Sequence, residues 1–228
     1  MERKPKLNLR RSMELYEEAQ KLSPGGMMGI RRPYNFIPGE YPIFIKKGYA
    51  GHIIDVDGND YIDMLCAYGP IILGYNEPEI NSAVIEQMEH GFCFTMVQEI
   101  QNELQKRLIN LIPSAEMVVL AKTGSDVTSI AIRIARAYNE KSKILRCGYH
   151  GWHDWCVEHQ GGVPKQISDL TIEFPYGDLN ILEGYLQKNQ DDVSAIIITP
   201  VGHPTALPVI APPDGYLQGV RDLADKYD

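Results

Sequence analysis

Residues 117–138 read MVVLAKTGSDVTSIAIRIARAY, a short apolar run followed by a glycine-containing turn and a helical pattern. The apolar run MVVL, residues 117–120, predicts a buried strand, because it lacks the polar alternation of a strand with one solvated face. The helix predicted over 127–138 would turn one side inward: Val127, Ile130, Ala131, Ile134 and Tyr138. A buried strand that leads directly into a helix is the repeating unit of α/β proteins.

The same alternation continues towards the end of the chain. The apolar runs KILRC (143–147) and AIIIT (195–199) alternate with helical patterns over 178–188 and 215–227. Continuous apolar strands separated by helices predict a mainly parallel sheet that is covered on both faces. The predicted fold class is therefore α/β.

The first part of the chain has a different pattern. Residues 12–22 predict a helix with Ser12 as its N-cap. Short apolar segments over 43–63 predict antiparallel strands, and Asp57-Gly58-Asn59 between two of them is a hairpin turn signal. This segment is therefore expected to form a small antiparallel sheet.

Two further helical patterns, over 79–90 and 98–112, precede the α/β alternation. The change of pattern places a boundary near Gly69-Pro70. It divides the chain into an N-terminal segment, 1–69, and the first part of a large α/β domain, 70–228.

Composition excludes several classes of protein. The 30 acidic and 22 basic residues give a net charge of −8, which argues against a nucleic-acid binder. No apolar run approaches the roughly 18 residues of a membrane-spanning helix, and the N-terminus MERKPKLNLRRS lacks the apolar core of a secretory signal. Four cysteines in 228 residues do not make a disulfide framework. These features favour a cytoplasmic protein that binds neither nucleic acid nor membrane.

The turn Thr123-Gly124-Ser125 is the first candidate site. It lies where a helix begins, and there the unpaired backbone N–H groups and the helix dipole favour an anion. Neither a P-loop nor a G-x-G-x-x-G pattern is present, so the anion would be a small phosphorylated cofactor rather than a nucleotide. The alternative is that Ser125 or Asp126 only caps the helix.

The loop CGYHGWHDWC, residues 147–156, is the second candidate site because it follows a predicted strand at the edge where α/β proteins bind ligands. Tyr149 could stack on a planar ring. Two alternatives are a packed aromatic loop and a zinc site. The zinc site would use side chains that recur every third residue: Cys147, His150, His153, Cys156 and His159. That spacing lacks paired C-x-x-C ligands, so no metal is predicted.

A third candidate, Arg31 with Arg32, follows the segment SPGG and could bind a carboxylate in a bidentate manner. A solvated surface pair is the alternative.

Together these motifs resemble a known family in their order along the chain. The matching segments are SPGG followed by Arg32, GHIIDVDGNDYIDM, YGPIILGYNEPEI, NELQKRLINLIPSAEMV, KTGSDVTSIAIRIARAY, GYHGWHDW and GYLQGVRDLADKYD. The set resembles the N-terminal part of the class III, fold type I aminotransferases that depend on pyridoxal phosphate. Its nearest branch resembles glutamate-1-semialdehyde 2,1-aminomutase.

The resemblance implies a role for individual residues. Thr123, Gly124 and Ser125 match the turn that holds the cofactor phosphate. Tyr149 matches the aromatic residue that stacks on the pyridine ring, and His150 follows it. Arg32 and Tyr68 match residues that bind the substrate carboxylate and line the substrate pocket.

The resemblance also implies an activity: transfer of an amino group from a small-molecule donor to a keto or aldehyde acceptor, by a homodimer. The lysine that forms the Schiff base with pyridoxal phosphate, and the acid that pairs with its pyridine nitrogen, are expected beyond Asp228, so no catalytic residue is assigned in this chain. Thr199 stands where the family has a glutamate, which leaves the substrate open between the aminomutase reaction, an amino sugar and another keto or aldehyde compound. A different class of function is an inactive relative that serves as a dimerisation or scaffold subunit.

Overall fold

A computed structural model describes residues 7–26, 44–201 and 209–228. The chain divides into two compact units, Met1–Gln98 and Glu99–Asp228. The division into segments 1–69 and 70–228 stays a prediction.

The described elements of the first unit are two helices and a small antiparallel sheet. Helix α1 spans Arg10–Leu22 and α2 spans Pro78–His90. Strands β1 (Ile45–Tyr49), β2 (His52–Asp55) and β3 (Asp60–Ile62) pair antiparallel in the order β1-β2-β3. The predicted antiparallel segment and its hairpin turn are confirmed.

Asp55 shapes the turn between β2 and β3. Its side chain is fully buried, and Oδ1 accepts hydrogen bonds from the backbone N–H groups of Asp57 and Asn59 at 3.0 and 2.8 Å. Oδ2 accepts from the Asn59 amide and the Tyr61 hydroxyl. A buried carboxylate with this many donors holds the turn in one conformation.

The prediction that Ser12 caps α1 is wrong. The helix begins two residues earlier, at Arg10, and its N-cap position, Leu9, has no side chain that can accept a hydrogen bond. Instead the carboxylate of Asp57 accepts the N–H groups of Arg11 and Ser12 at 2.7 and 2.9 Å. The hairpin turn therefore caps a helix that lies more than forty positions earlier in the chain.

The second unit is built on a parallel sheet. Strands β4 (Lys143–Cys147), β5 (Thr171–Glu173) and β6 (Val193–Ile198) form it in the order β5-β4-β6, with β4 parallel to both neighbours. The helices are α3 (Glu99–Leu111), α4 (Gly124–Asn139), α5 (Lys165–Ser168), α6 (Leu179–Asn189) and α7 (Tyr216–Tyr227). The predicted parallel arrangement and the predicted helices are confirmed.

Apolar clusters cover both faces of this sheet. Consecutive residues of β4 point to opposite faces, and both Ile144 and Leu145 are fully buried. Leu145 belongs to a cluster with side chains of α6 and α7, among them Leu182 and Tyr216. Ile144 belongs to a second cluster with Ile132 of α4 and with Trp155 and Cys156 of the loop after β4.

The prediction that residues 117–120 form a strand is wrong for the described structure. This segment has no regular secondary structure, and Met117 and Val119 are largely exposed. A strand requires a hydrogen-bonded neighbour, and the described strands of this unit pair only with one another.

The predicted inward face of α4 is also wrong. Val127, Ile134 and Tyr138 are exposed, whereas the buried residues of the helix are Ser125 and Ile132. The hydroxyl-bearing side of α4 faces the loop after β4, so polar bonds replace the apolar packing that the periodicity indicated.

Within residues 7–26, 44–201 and 209–228, no helix has the length and apolarity needed to cross a membrane.

Candidate functional site

The candidate site lies at the carboxyl edge of the parallel sheet. The loop that contains Tyr149 follows β4, Thr199 follows β6, and the N-terminus of α4 faces the loop. The N–H of Thr199 donates to the carbonyl of Cys147 at 3.0 Å, so the ends of the two strands stay paired. Ligands of open α/β sheets bind at this edge.

Thr123 begins α4 with a capping box. Its hydroxyl oxygen accepts the N–H of Asp126 at 3.2 Å, and the Asp126 carboxylate accepts the N–H and the hydroxyl of Thr123 at 2.9 and 2.7 Å. These bonds from Thr123 lower the pKa of Asp126, which keeps its carboxylate ionised. The sequence left two possibilities for this turn, an anion site and a helix cap. The cap is present and uses both the hydroxyl and the N–H of Thr123, so an anion would have to bind to other N–H groups.

Two backbone N–H groups at this N-terminus make no hydrogen bond within the described residues. An α-helix leaves its first N–H groups without intrahelical partners, and at α4 those of Asp126 and Val127 are bonded to Thr123. The groups left are those of Gly124 and Ser125. Apart from its chain neighbours and the backbone of α4, no described atom comes within 4 Å of the position that a Cβ on Gly124 would occupy, so the described residues leave open space beside them. Free N–H groups beside open space are suited to a phosphate.

Ser125 ties this helix end to the loop after β4. It is buried, and its hydroxyl oxygen accepts the N–H of Trp152 at 3.2 Å. Gly151 has a φ of +123°, and a Cβ placed on it would lie 2.5 Å from Ser125 Oγ. Only glycine allows the loop to approach the helix this closely.

Tyr149 and His150 are adjacent but have opposite environments. The Tyr149 ring is about half exposed, at 47%, so a planar ligand can reach it. His150 is buried, and within the described residues neither of its ring nitrogens has a hydrogen-bond partner. Burial, followed by the nearby charge of Arg146, lowers the pKa of His150 and favours the neutral imidazole.

The two cysteines of this loop are structural. Cys147 and Cys156 are free and buried, and burial raises the pKa of both thiols. Protonated thiols are poor nucleophiles and poor metal ligands. In the described part of the chain, no three His, Cys, Asp or Glu side chains come together as a metal site.

Sequence reasoning missed four residues that link α4 to this loop. Thr128 Oγ1 donates to the carbonyl of His150 at 2.8 Å. Trp155 Nε1 donates to Ser129 Oγ at 3.0 Å, and the same hydroxyl is bonded to His153 Nδ1 at 2.8 Å. The signal was present as hydroxyl residues at helical spacing, 125, 128 and 129, but apolar periodicity alone does not detect it.

Neither predicted substrate residue belongs to the second unit. Tyr68 belongs to the first unit, where it ends three consecutive residues with left-handed backbones: Cys66 at φ +50°, Ala67 at +51° and Tyr68 at +65°. Such strain in non-glycine residues is concentrated at functional sites in proteins. Arg32 lies outside the described residues.

A family model, aminotransferase class III, matches residues 37–228. The chain belongs to that family. The resemblance inferred from the ordered motifs is confirmed.

The matches include curated proteins and solved structures. The chain is 59% identical over 223 residues to 3-aminobutyryl-CoA aminotransferase of Cloacimonas acidaminovorans, a match that covers 97% of this chain and 54% of that protein. It is 35% identical to glutamate-1-semialdehyde 2,1-aminomutase of Natranaerobius thermophilus, over 95% of this chain and 53% of that protein. The chain therefore spans about half the length of the curated relatives that it matches.

The fold comparison agrees with the sequence comparison. The FumI protein of Sphingopyxis sp. MTA144, solved in its pyridoxal phosphate internal aldimine form, matches with a TM-score of 0.91 and 30% identity, over 95% of this chain and 53% of that one. The predicted fold type I architecture and α/β class are confirmed, and pyridoxal phosphate is the cofactor indicated for the family member described here. The site fits that cofactor, because the two helix N–H groups that are unbonded within the described residues suit its phosphate and an accessible tyrosine ring suits its pyridine ring.

Proposed function

We propose that this class III aminotransferase chain is part of an enzyme that uses pyridoxal phosphate to remove the amino group from a 3-aminoacyl-CoA thioester and transfer it to a keto or aldehyde acceptor. The proposed substrate class rests on the 59% identity, over 97% of the chain, to a 3-aminobutyryl-CoA aminotransferase. The aminomutase relative is less similar, at 35% identity. The threonine at position 199, where the aminomutase resemblance expects glutamate, also favours a substrate other than glutamate-1-semialdehyde.

Each site residue has a physical task in this proposal. The N–H groups of Gly124 and Ser125 bind the phosphate, and Thr123 holds that helix end in shape through its capping box with Asp126. The ring of Tyr149 stacks on the pyridine ring, and the neutral His150 that follows it completes the set of cofactor-binding residues. Pyridoxal phosphate, when bound, supplies the electron sink for amino-group chemistry.

The remaining components are proposals of the same kind. Arg32 and Tyr68 contribute to the substrate pocket, and the covalent lysine and the acid that pairs with the pyridine nitrogen come from sequence beyond Asp228. The enzyme is proposed to be a cytoplasmic homodimer. Light scattering on the complete gene product tests its oligomeric state, and a monomer with full activity would contradict the dimer.

The reaction is tested with the complete gene product loaded with pyridoxal phosphate. We expect a visible absorbance band that borohydride bleaches, and loss of that band when 3-aminobutyryl-CoA is added without an acceptor. Mass spectrometry should detect 3-oxobutyryl-CoA, because the carbon that loses nitrogen becomes a ketone. Free 3-aminobutyrate is the matched control for the thioester.

Other outcomes identify the competing functions. A response to glutamate-1-semialdehyde that yields only its rearranged isomer would replace the proposed reaction with the aminomutase reaction. Absence of a visible band would replace it with the inactive scaffold subunit.

The proposed stacking is tested with Tyr149 variants. Tyr149→Ala should weaken cofactor binding by roughly tenfold, the loss expected for one aromatic contact of about 1.4 kcal/mol. Tyr149→Phe retains the ring and should bind like the wild type. Equal affinities for all three proteins would contradict the stacking role.

A further inference from the structure

A row of hydrogen bonds joins one side of α4 to the loop after β4. The backbone N–H of Trp152 donates to Ser125 Oγ, and Thr128 Oγ1 donates to the carbonyl of His150 at 2.8 Å. One turn further along the helix, Trp155 and His153 both bond to the hydroxyl of Ser129. We call these bonds the seam. It fixes the loop to three residues of the helix, Ser125, Thr128 and Ser129.

Ser129 is the centre of the seam because it joins two side chains of the loop. The indole N–H of Trp155 can only donate, so Ser129 Oγ accepts that bond at 3.0 Å. The hydroxyl hydrogen of Ser129 is then available for His153 Nδ1, which lies 2.8 Å away. The resulting order, Trp155 to Ser129 to His153, gives every member a partner, and such a connected network specifies a single arrangement.

The rest of the contact depends on this arrangement. Trp155 is buried in the cluster that covers one face of the sheet, with Ile132 of the same helix. A buried indole N–H without an acceptor would carry the full desolvation penalty, so Ser129 determines whether Trp155 can occupy that position. Trp155 in turn fixes the end of the loop that begins with Gly148 and Tyr149.

The seam joins the two elements that carry the proposed cofactor site. Helix α4 begins with Gly124 and Ser125, whose N–H groups are unbonded within the described residues, and the loop carries the half-exposed Tyr149. The phosphate and the ring of one cofactor have a fixed separation. If the loop became ordered only when the cofactor binds, the affinity would be reduced. The distance between the phosphate-binding groups and the ring-binding group must therefore be set before binding.

We propose that Ser129 is a positioning residue for the cofactor: through Trp155 and His153 it holds the Tyr149 loop at the spacing that pyridoxal phosphate requires from the α4 N-terminus. This inference rests on the proposed function, because it assumes that Tyr149 and the helix end bind one cofactor. Ser129 itself touches neither the phosphate nor the ring in this assignment.

The experiment compares three variants of the complete gene product with the wild type. Ser129→Ala removes the hydroxyl, Ser129→Thr retains it, and Ser194→Ala is the matched control. Ser194 Oγ donates to Asn139 Oδ1 at 3.0 Å, so its removal also deletes a serine bond to α4, but at the opposite end of the helix. A general loss of stability would affect Ser129→Ala and Ser194→Ala alike.

We expect Ser129→Ala to raise the Kd for pyridoxal phosphate about tenfold and to reduce the circular dichroism of the bound cofactor, which reports the orientation of its ring. Hydrogen exchange of the cofactor-free protein should become faster over residues 148–156. Ser129→Thr and Ser194→Ala should retain wild-type affinity and dichroism.

Two negative results have different meanings. If the wild type binds no cofactor, the proposed function itself is overturned. If the wild type binds but Ser129→Ala matches it in affinity, dichroism and exchange, only the role of Ser129 is overturned. Equal loss in Ser129→Ala and Ser194→Ala would also overturn that role, because it would show a general effect of loosening α4.

Discussion

His150 shows how burial sets the chemistry of a single side chain. Its imidazole is buried beside the proposed stacking residue and, within the described residues, neither ring nitrogen is bonded. Burial and then the charge of Arg146 lower its pKa, so the unfolded chain takes up a proton at a pH where the folded protein does not.

The free energy of unfolding of the cofactor-free protein should therefore fall as the pH drops below about 6.5, the ordinary value for histidine, and level off below the folded-state pKa. His150→Gln should flatten this dependence in urea titrations. The same substitution at the exposed His159 is the control for a general effect of replacing a histidine. A wild-type profile with no slope below that pH would contradict the assignment.

Gly151 is the residue whose identity the loop geometry restricts most clearly. A side chain there would have to adopt a φ of +123° and would place its Cβ 2.5 Å from Ser125 Oγ. Gly151→Ala should lower the free energy of unfolding by about 1–3 kcal/mol and weaken phosphate binding at the α4 N-terminus. Gly161→Ala is the control, since no atom lies within 4 Å of its Cβ position. Chemical denaturation and a phosphate titration of both variants check the prediction, and equal stability would refute it.

At the scale of elements, α1 depends on a turn that is distant in sequence. Its N-cap residue, Leu9, has no accepting side chain. Asn8 Oδ1 accepts the N–H of Arg10 at 3.3 Å, and the Asp57 carboxylate accepts those of Arg11 and Ser12. Burial acts to raise the pKa of Asp57, but the backbone donors Ser12 and Arg11 outweigh it, and the pKa is lowered. The cap is therefore present at neutral pH and is lost as the pH falls through that lowered pKa.

Asp57→Ala should lower the free energy of unfolding by about 1–2 kcal/mol and increase the fraying of α1, because two N–H groups lose their acceptor. Asp57→Asn retains an acceptor oxygen and should lose less. Urea denaturation gives the stabilities, and hydrogen exchange over residues 10–14 shows whether α1 itself is affected. If exchange in α1 is unchanged in Asp57→Ala, the capping assignment is wrong.

The elements also show what local sequence could predict. The hairpin at Asp57-Gly58-Asn59 and the strand over 143–147 were predictable, because turn chemistry and a buried apolar run are local signals. The cap of α1 was not, because its acceptor is supplied by another element. The face of α4 was predicted wrongly since Ser125, Thr128 and Ser129 pack inward through hydrogen bonds, which hydrophobic periodicity does not register.

At the scale of the whole molecule, ordered motifs identified the family although single motifs were weak. Thr123-Gly124-Ser125 alone was equally consistent with a simple cap. The structure has a capping box there and, within the described residues, two N–H groups that make no hydrogen bond. The prediction of a strand at 117–120 was wrong because strand pairing depends on which neighbouring strands are available, and not on the segment itself. One side of α4 is also exposed and carries Ile134 and Tyr138.

This exposed apolar surface predicts how residues 1–228 behave when produced alone. Ile134 and Tyr138 of α4 are 57% and 89% exposed, and Met117 and Val119 are 87% and 61% exposed. Exposed apolar side chains promote association in water. We expect the isolated chain to self-associate, and the double change Ile134→Glu with Tyr138→Glu to shift it towards the monomer. Sedimentation velocity at several concentrations measures this.

The control is Lys188→Glu, at an exposed position on α6, which adds negative charge without removing an apolar side chain. If the control reduces association as strongly as the double variant, net charge rather than the α4 surface is responsible.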